Sequence, residues 1–596
     1  MESLFLKTPS GRNALVLCLI LAAALSLPGL WMGLFMDDYF QTAIIEKLVP
    51  FGSLWSLFDF APGKPDVLEP RIFQGIFPWY TLPEMKARFF RPLSCLLAAA
   101  DHGLFGRHYI AWHLHSVLWY MLLIGAYSLV VRRALPGAAG ALALVIFTLA
   151  PSHWFPVVWV ANRNALVAVV PAMLGMYMHI RWREDAYKPG LPLSLLGYAA
   201  GLLGGEAALG VLAYVAAYEL FAGEGPLHKR LRALTPAALV VAAYLALYKF
   251  YGYGAYGSGS YLDPLDEPLN YAIQAPARLL MLIAAQLAGL SADLLVFAER
   301  LRPAHVAAGL ITVLVFCAVI RRAWPALDSA QRRSLKWMAG GALFSMLPVA
   351  ATFPTNRLLL APSIGASVIL ALVLTYWWRE RREGHAGKWL TALAAVLILV
   401  HFVEAPAIWV GQSLAFTWFG KRVERACLNA EVSGPLPAGG HLVLLPGCDP
   451  VTTIYTPIIR AVLEKRRLSP DDFWLVTSQA PYDHRLTTTG PNRFEIEVIN
   501  GSMLGSEFER LFRGSKHALR VGEQIKLDYV TVTVLEVGKT GPSRIEFEFD
   551  RPLKDESLSF MAWKGSHVRK VELPPVGESA VFPWKRGLLR LSQDVE

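Results

Sequence analysis

The feature that most constrains this chain is a succession of apolar runs, beginning at residues 14–35 and recurring until about residue 411. A bilayer core about 30 Å thick is crossed by roughly 20 apolar residues in a helix, so such runs demand lipid rather than water around them. The composition agrees: 596 residues at 55% hydrophobic and 17% charged are too apolar for a soluble protein of this size. The charge is uneven, with 32 Lys/Arg against 23 Asp/Glu before residue 412 and 24 against 23 after it. A basic excess confined to the apolar part reads as the positive-inside signal, and nucleic acid is not an expected partner.

Basic residues follow the runs in a regular order. Lys7 and Arg12 precede the first, which is read as an uncleaved anchor with a cytoplasmic N-terminus. Arg132-Arg133, Arg181 with Arg183, Lys229-Arg230, Arg321-Arg322 and Arg379 to Lys388 then mark cytoplasmic loops. Residues 275–297 break the parity, because they must begin and end outside; they are either re-entrant or interfacial, or the count is off by one. The expectation is an α-helical polytopic membrane domain over 1–411 with about 11 transmembrane helices. Residues 37–108, rich in Pro, would form a long external loop with interfacial helices.

After residue 412 the pattern changes to short alternating runs separated by turn residues, such as Phe494-Glu-Ile-Glu-Val-Ile and Ile545-Glu-Phe-Glu-Phe. Residues 412–596 are therefore expected to be a mainly β extracytoplasmic domain, with one clear helix near 456–465. His441, His484, Asp471 and Asp472 are read as its surface residues. Five cysteines show no metal-binding spacing, although Cys427 and Cys448 would be able to pair outside the cytoplasm.

Ionisable residues at the external ends of spans are the functional candidates, because charge beside lipid is costly to keep. Asp37-Asp38 leave the first span together; adjacent carboxylates repel, which suits a general base or a metal ligand, though they also suit a solvated helix end. Arg91 in Phe90-Arg91-Pro92-Leu93 is able to hold a phosphate by paired hydrogen bonds or merely to meet lipid headgroups. His113 and His115, two apart on a helix, point to different sides, against a joint metal site. Pro151-Ser152-His153 with Arg163, Glu206, and Asn356-Arg357 complete the set. Two arginines and several acids on one outward rim fit an anionic, lipid-borne substrate; they also fit helix-to-helix contacts or a transport pathway.

In this order the motifs resemble the GT-C class of polytopic glycosyltransferases, particularly bacterial relatives of the transmembrane O-mannosyltransferases with tetratricopeptide repeats. The acidic pair is similar to Asp37-Asp38, and an "RPL … G … H" pattern to Arg91-Pro92-Leu93, Gly106 and His113. A "P-x-H … R" turn is similar to Pro151-Ser152-His153 through Arg163. An acidic helix is echoed by Gly205-Glu206, and a late "R-x-L-Y-x-P-S-x-G" by Arg357 through Gly365. The chain departs from the pattern at Phe155, Ala165 and Gly205, and lacks the tetratricopeptide tail.

The resemblance implies inverting transfer of a sugar from a polyprenyl-phosphate donor to an acceptor hydroxyl of protein, lipid or glycan. It implies Asp38 or Asp37 as base, Arg91, Arg163 and Arg357 as phosphate binders, and His113, His153 and Glu206 in support. Some members use a divalent cation (Mg or Mn), which would bind at Asp37 and Asp38; others use none. A bacterial inner membrane with an external C-terminal domain is the expected setting. The alternatives are a transporter or flippase of a lipid-linked anion, and a non-catalytic envelope assembly protein.

Overall fold

The computed structural model describes residues 11–431, 440–447, 450–564 and 567–584. They fall into two compact units. The first comprises the described part of Met1–Gly33 with Phe89–Gly252 and Glu267–Thr417; the second comprises Leu34–Arg88, Tyr253–Asp266 and the described part of Trp418–Glu596. The division falls near the expected boundary at 411 but is discontinuous, because much of the 37–108 loop groups with the C-terminal region.

The first unit is helical. Every apolar run is a helix, and seven helices among the described residues are long and apolar enough to cross a bilayer, or eight if Ala138–Leu149 and Pro151–Val158, bent by 46°, form one broken span. This is a multi-pass membrane protein. The count does not reach about 11 crossings: Gly190–Gly204 and Ala208–Phe221 have only 15 and 14 residues, roughly 22 Å of helix against a core of about 30 Å, and Ser329–Val349 and Pro362–Arg382 are long enough but less apolar. The outer faces suit lipid. Tyr109–Ala134 exposes Ile110, Leu114, Leu118 and Leu122 at intervals of four, while Tyr120, Leu123 and Tyr127 on its other side are fully buried.

Residues 275–297 have a defined local structure. The segment is a helix over Pro268–Ala288 that ends at Gly289 in the left-handed conformation, φ 76°. Near its start the Tyr271 hydroxyl donates to the Leu347 carbonyl and Arg278 to that of Ala350. Leu282 packs with Met346 and Leu359, and just beyond its end the Ala292 N–H donates to Asn356.

The second unit holds thirteen strands among the described residues: β1 (Asp59–Pro62), β2 (Lys86–Arg88), β3 (Gly254–Tyr256), β4 (His441–Leu444), β5 (Trp474–Val476), β6 (His484–Gly490), β7 (Arg493–Val498), β8 (Gln524–Lys526), β9 (Val530–Val537), β10 (Pro542–Phe549), β11 (Leu558–Lys564), β12 (His567–Lys570) and β13 (Ser579–Phe582). They form sheets in the orders β1-β2-β3, β13-β6-β7-β10-β9-β8 and β12-β11-β4-β5. The larger sheet is antiparallel, and its alternation sets its faces: Phe494, Ile496, Ile545 and Phe547 are fully buried, while the intervening glutamates face outward. β4 runs parallel to β5, a pairing that needs a crossover, and the helix Pro450–Glu464 supplies it.

Trp79 and Tyr80, from the loop after the first span, are buried in the same cluster as Phe494 and Phe547. This shared core is why that loop groups with the C-terminal strands. His484 is not a surface residue: it is fully buried, and its Nε2 lies 2.8 Å from the Ser478 hydroxyl. His441 is half-buried and stacks on Tyr529, with ring centroids 3.6 Å apart. Asp472 accepts hydrogen bonds from Ser469 and Arg466. Cys427 lies 3.2 Å from the Thr456 hydroxyl; Cys448, its expected partner, is outside the described residues.

Candidate functional site

Helix direction sorts the charges of the first unit into two groups. At one end Arg133 pairs with Glu184, Arg183 with Glu219 and Arg333 with Glu184. These residues close the helices Tyr109–Ala134, Asn164–Glu184 and Ala208–Phe221 and open Ser329–Val349. The motif residues occupy the opposite ends of the same helices. Arg163 precedes Asn164, Glu206 precedes Ala208, His113 and His115 lie in the first two turns of Tyr109–Ala134, and Asn356-Arg357 follow Ser329–Val349.

The three arginines differ in what they already hold. Arg163 is 3% exposed and Asp101 1%; they form a buried ion pair, and Arg163 also donates to the Trp112 carbonyl at 3.1 Å. His115 completes this cluster: Trp119 donates to its Nε2, so its Nδ1 carries the proton, which goes to Asp101 at 2.6 Å. Arg91 caps the start of Pro92–Phe105 and donates through Nε to Glu206 at 2.8 Å. Burial opposes the Arg91 charge, but Glu206 beside it holds the group above its ordinary value. The second oxygen of Glu206, Oε1, is buried with no hydrogen-bond partner among the described residues. Gly205, at φ 156° and ψ 170°, sets this carboxylate, and only glycine adopts that backbone readily.

Arg357 is different. Among the described residues it makes no hydrogen bond and no ion pair; its guanidinium lies over the rings of Trp159 at 5.7 Å and Phe353 at 6.0 Å. Burial raises the pKa of Asp293, and this is offset in part by the Asn356 N–H and the Arg357 charge. His153 is fully buried, with Nε2 at 2.8 Å from the Ser363 hydroxyl and Nδ1 at 3.3 Å from that of Tyr120. This bond ties the "P-x-H" turn to the late "P-S" motif. His113 lies with Nε2 at 3.0 Å from the Gly33 carbonyl. His113 and His115 therefore have separate partners.

The acid pair belongs to the second unit. Asp37 and Asp38 open the helix Asp37–Ile45 immediately after Met36, whose φ of 42° and ψ of −107° are rare for a residue with a side chain. Backbone strain of this kind collects at functional sites. The two carboxylates are not equivalent: Asp38 is 2% exposed and accepts the Phe35 N–H at 2.9 Å, whereas Asp37 is half-buried and accepts the Tyr455 hydroxyl. Burial and the neighbouring Asp37 charge push the Tyr455 phenol well up, so it remains a donor. Sequence reasoning missed Tyr455, because nothing in Thr453-Ile-Tyr-Thr distinguishes it from a helix-face residue. Among the described residues no group of three or more His, Cys, Asp or Glu is arranged to hold a metal ion. A cation at Asp37 and Asp38 would therefore take its other ligands from water or from phosphate oxygens.

No protein-family model matches this chain, and neither does any curated protein. Among solved structures it is similar to the oligosaccharyltransferase of Archaeoglobus fulgidus in the apo form, with a TM-score of 0.41 and 12% identity over 88% of this chain and 80% of that one. The same enzyme in complex with Zn and sulfate gives a TM-score of 0.38 and 13% identity over 74% of this chain and 61% of that one. ArnT from Cupriavidus metallidurans in the apo state gives a TM-score of 0.37 and 13% identity over 77% of this chain and 89% of that one.

Proposed function

We propose that this chain is a GT-C-like membrane glycosyltransferase that transfers a sugar from a polyprenyl phosphate to an acceptor hydroxyl outside the cytoplasm, with inversion at the anomeric carbon. The observation that carries this reading is the collection of Arg91, His153, Arg163, Glu206 and Arg357, far apart in sequence, at one end of the helices of the first unit.

In this reading the acceptor hydroxyl attacks the anomeric carbon as its proton passes to Asp37 or Asp38. The bond from that carbon to the phosphate oxygen breaks, and its electron pair stays on the phosphate. Charge therefore develops on the leaving group, and stabilising it in a water-poor site lowers the barrier most. Arg357 is the best placed of the three arginines in this respect, because among the described residues its donors have no carboxylate to give up. Arg91 and Arg163 would have to share theirs with Glu206 and Asp101. Tyr455 fixes Asp37, and the Phe35 N–H fixes Asp38.

The test is sugar transfer by the purified full chain in proteoliposomes supplied with a polyprenyl-phosphate sugar. Arg357→Gln is expected to lower transfer about a hundredfold, the loss of one strong transition-state contact. Transfer unchanged in that variant would remove Arg357 from the mechanism.

A further inference from the structure

The end of the helical unit opposite the motif residues has two corners of different character. In one, Arg133, Arg181, Arg183 and Arg333 each pair with Glu184, Asp185 or Glu219. The other collects the end of the helix Arg302–Ala323, the turn Trp324–Ala326, the start of Ser329–Val349, the end of Pro362–Arg382 and the start of Lys388–Ile398. Arg379 ties this corner together by donating to the Ala326 carbonyl at 2.7 Å, and Trp377 by donating to the Thr391 hydroxyl at 3.4 Å. Its segments 321–336 and 379–388 hold nine Lys/Arg against three Asp/Glu. Of those acids, Asp328 accepts the Gln331 N–H at the helix start and Glu383 faces His385.

Five cations of this second corner have no carboxylate partner among the described residues. Each is held over an aromatic ring instead: Arg322 over Trp389 at 5.6 Å, Arg332 and Lys336 over Trp324 at 5.8 and 5.6 Å, Arg379 over Tyr376 at 5.9 Å, and Arg381 over Trp377 at 5.8 Å. Arg332 and Arg333 are adjacent, yet neighbours on a helix point to different faces, so one serves each corner. A guanidinium resting on a ring keeps N–H donors at its rim, in the planar fork that matches a phosphate. Cations gathered in one place repel one another, and three acids do not neutralise nine bases, so a counter-charge from outside the chain relieves the strain. Position selects its source. Arg302–Ala323 exposes Leu310, Ile311 and Leu314, and the helix that begins at Lys388 leads to exposed Val396 and Leu399. The cations therefore cap lipid-facing surfaces, and tryptophan collects where hydrocarbon gives way to headgroups.

We infer that this corner binds an anionic phospholipid. Arg322, Arg332, Lys336, Arg379 and Arg381 hold its headgroup phosphate, as basic clusters between helix ends do, and its acyl chains lie along the exposed faces of the two helices. The site is at the far end of the unit from Arg91, Arg163 and Arg357, and it does not depend on the glycosyltransferase reading.

The test is lipid retention by the full chain in nanodiscs of phosphatidylcholine and phosphatidylglycerol in equal amounts, read by native mass spectrometry. Phosphatidylglycerol is expected to be retained over phosphatidylcholine by at least about tenfold. Arg322→Gln/Lys336→Gln is expected to reduce that preference about tenfold, because each cation beside a headgroup adds to the attraction. Arg322→Gln/Arg381→Gln carries the same expectation if the first variant does not fold. The control removes equal charge elsewhere at the same end: Arg132→Gln/Arg232→Gln, at two exposed positions, is expected to leave the preference within about twofold. Equal retention of the two lipids would overturn the proposal, and so would an equal loss in the control, which would reduce the effect to diffuse charge. Displacement of phosphatidylglycerol by glycerol 3-phosphate would overturn it as well, because the ligand would then be a soluble anion rather than a lipid.

Discussion

Tyr455 acts on the proposed chemistry through Asp37 rather than on the substrate. A phenol that donates to a carboxylate favours its charged form, so removing the donor makes that carboxylate easier to protonate. Tyr455→Phe is therefore expected to shift the acidic limb of the transfer rate to higher pH and to lower the rate about tenfold. A pH-rate profile checks this; an unmoved limb would show that Asp37 is not the titrating base. The buried Arg163 gives a different signature. Arg163→Ala strands Asp101 without its counter-charge and is expected to cost about 3–5 kcal/mol of stability, read as a lowered melting temperature in detergent. His484 gives a third. Burial lowers its pKa from 6.5 to about 4. The unfolded chain binds the proton first, so this residue's contribution is complete above about pH 6.5 and falls away as pH drops toward 4. His484→Gln should flatten the loss of stability of the C-terminal unit in that window, measured by thermal melts at pH 7 and pH 4.5. At this scale the sequence identifies the ionisable residues of the motifs but not their partners: Tyr455 gains meaning only from Asp37, distant in the chain.

Elements were far more legible. The apolar runs are helices because a long buried or lipid-facing run has no other way to satisfy its backbone. Two boundaries eluded the pattern. Pro268–Ala288 starts before the apolar stretch, and the last span continues to Leu428 through polar residues, because helix ends follow capping and packing rather than hydropathy. In the C-terminal region the pattern does not pick out β6, β11, β12 or β13: β6 is Thr-rich, β12 and β13 are edge strands, and β11, inside its sheet, is buried along most of its length and so does not alternate. The packing of Gly190–Gly204 on Asn164–Glu184 relies on glycines. A Cβ on Gly197 would lie 2.6 Å from the Pro171 carbonyl, and one on Gly201 2.7 Å from that of Ala168. Small residues four apart let membrane helices approach this closely. Gly201→Leu is expected to separate this pair and cost more than about 3 kcal/mol, seen as aggregation on extraction into mild detergent. A monodisperse, normally melting variant would contradict that packing.

For the molecule as a whole, the division into a helical and a strand-rich unit was readable from composition, but its discontinuity was not. Trp79 and Tyr80 join the core of strands more than 350 residues later, a contact no local pattern announces. This arrangement places Asp37 and Asp38 in the unit built by the C-terminal strands, and Arg91, Arg163 and Arg357 in the helical one. The proposed reaction gives the acids the acceptor's proton and the arginines the donor's phosphate. The most direct measurement is sugar transfer from a polyprenyl-phosphate donor in proteoliposomes by the Asp37→Asn/Asp38→Asn double variant, with its folding confirmed by an unchanged melt. The account predicts a loss of at least about a thousandfold with donor binding retained; transfer at the original rate would contradict it.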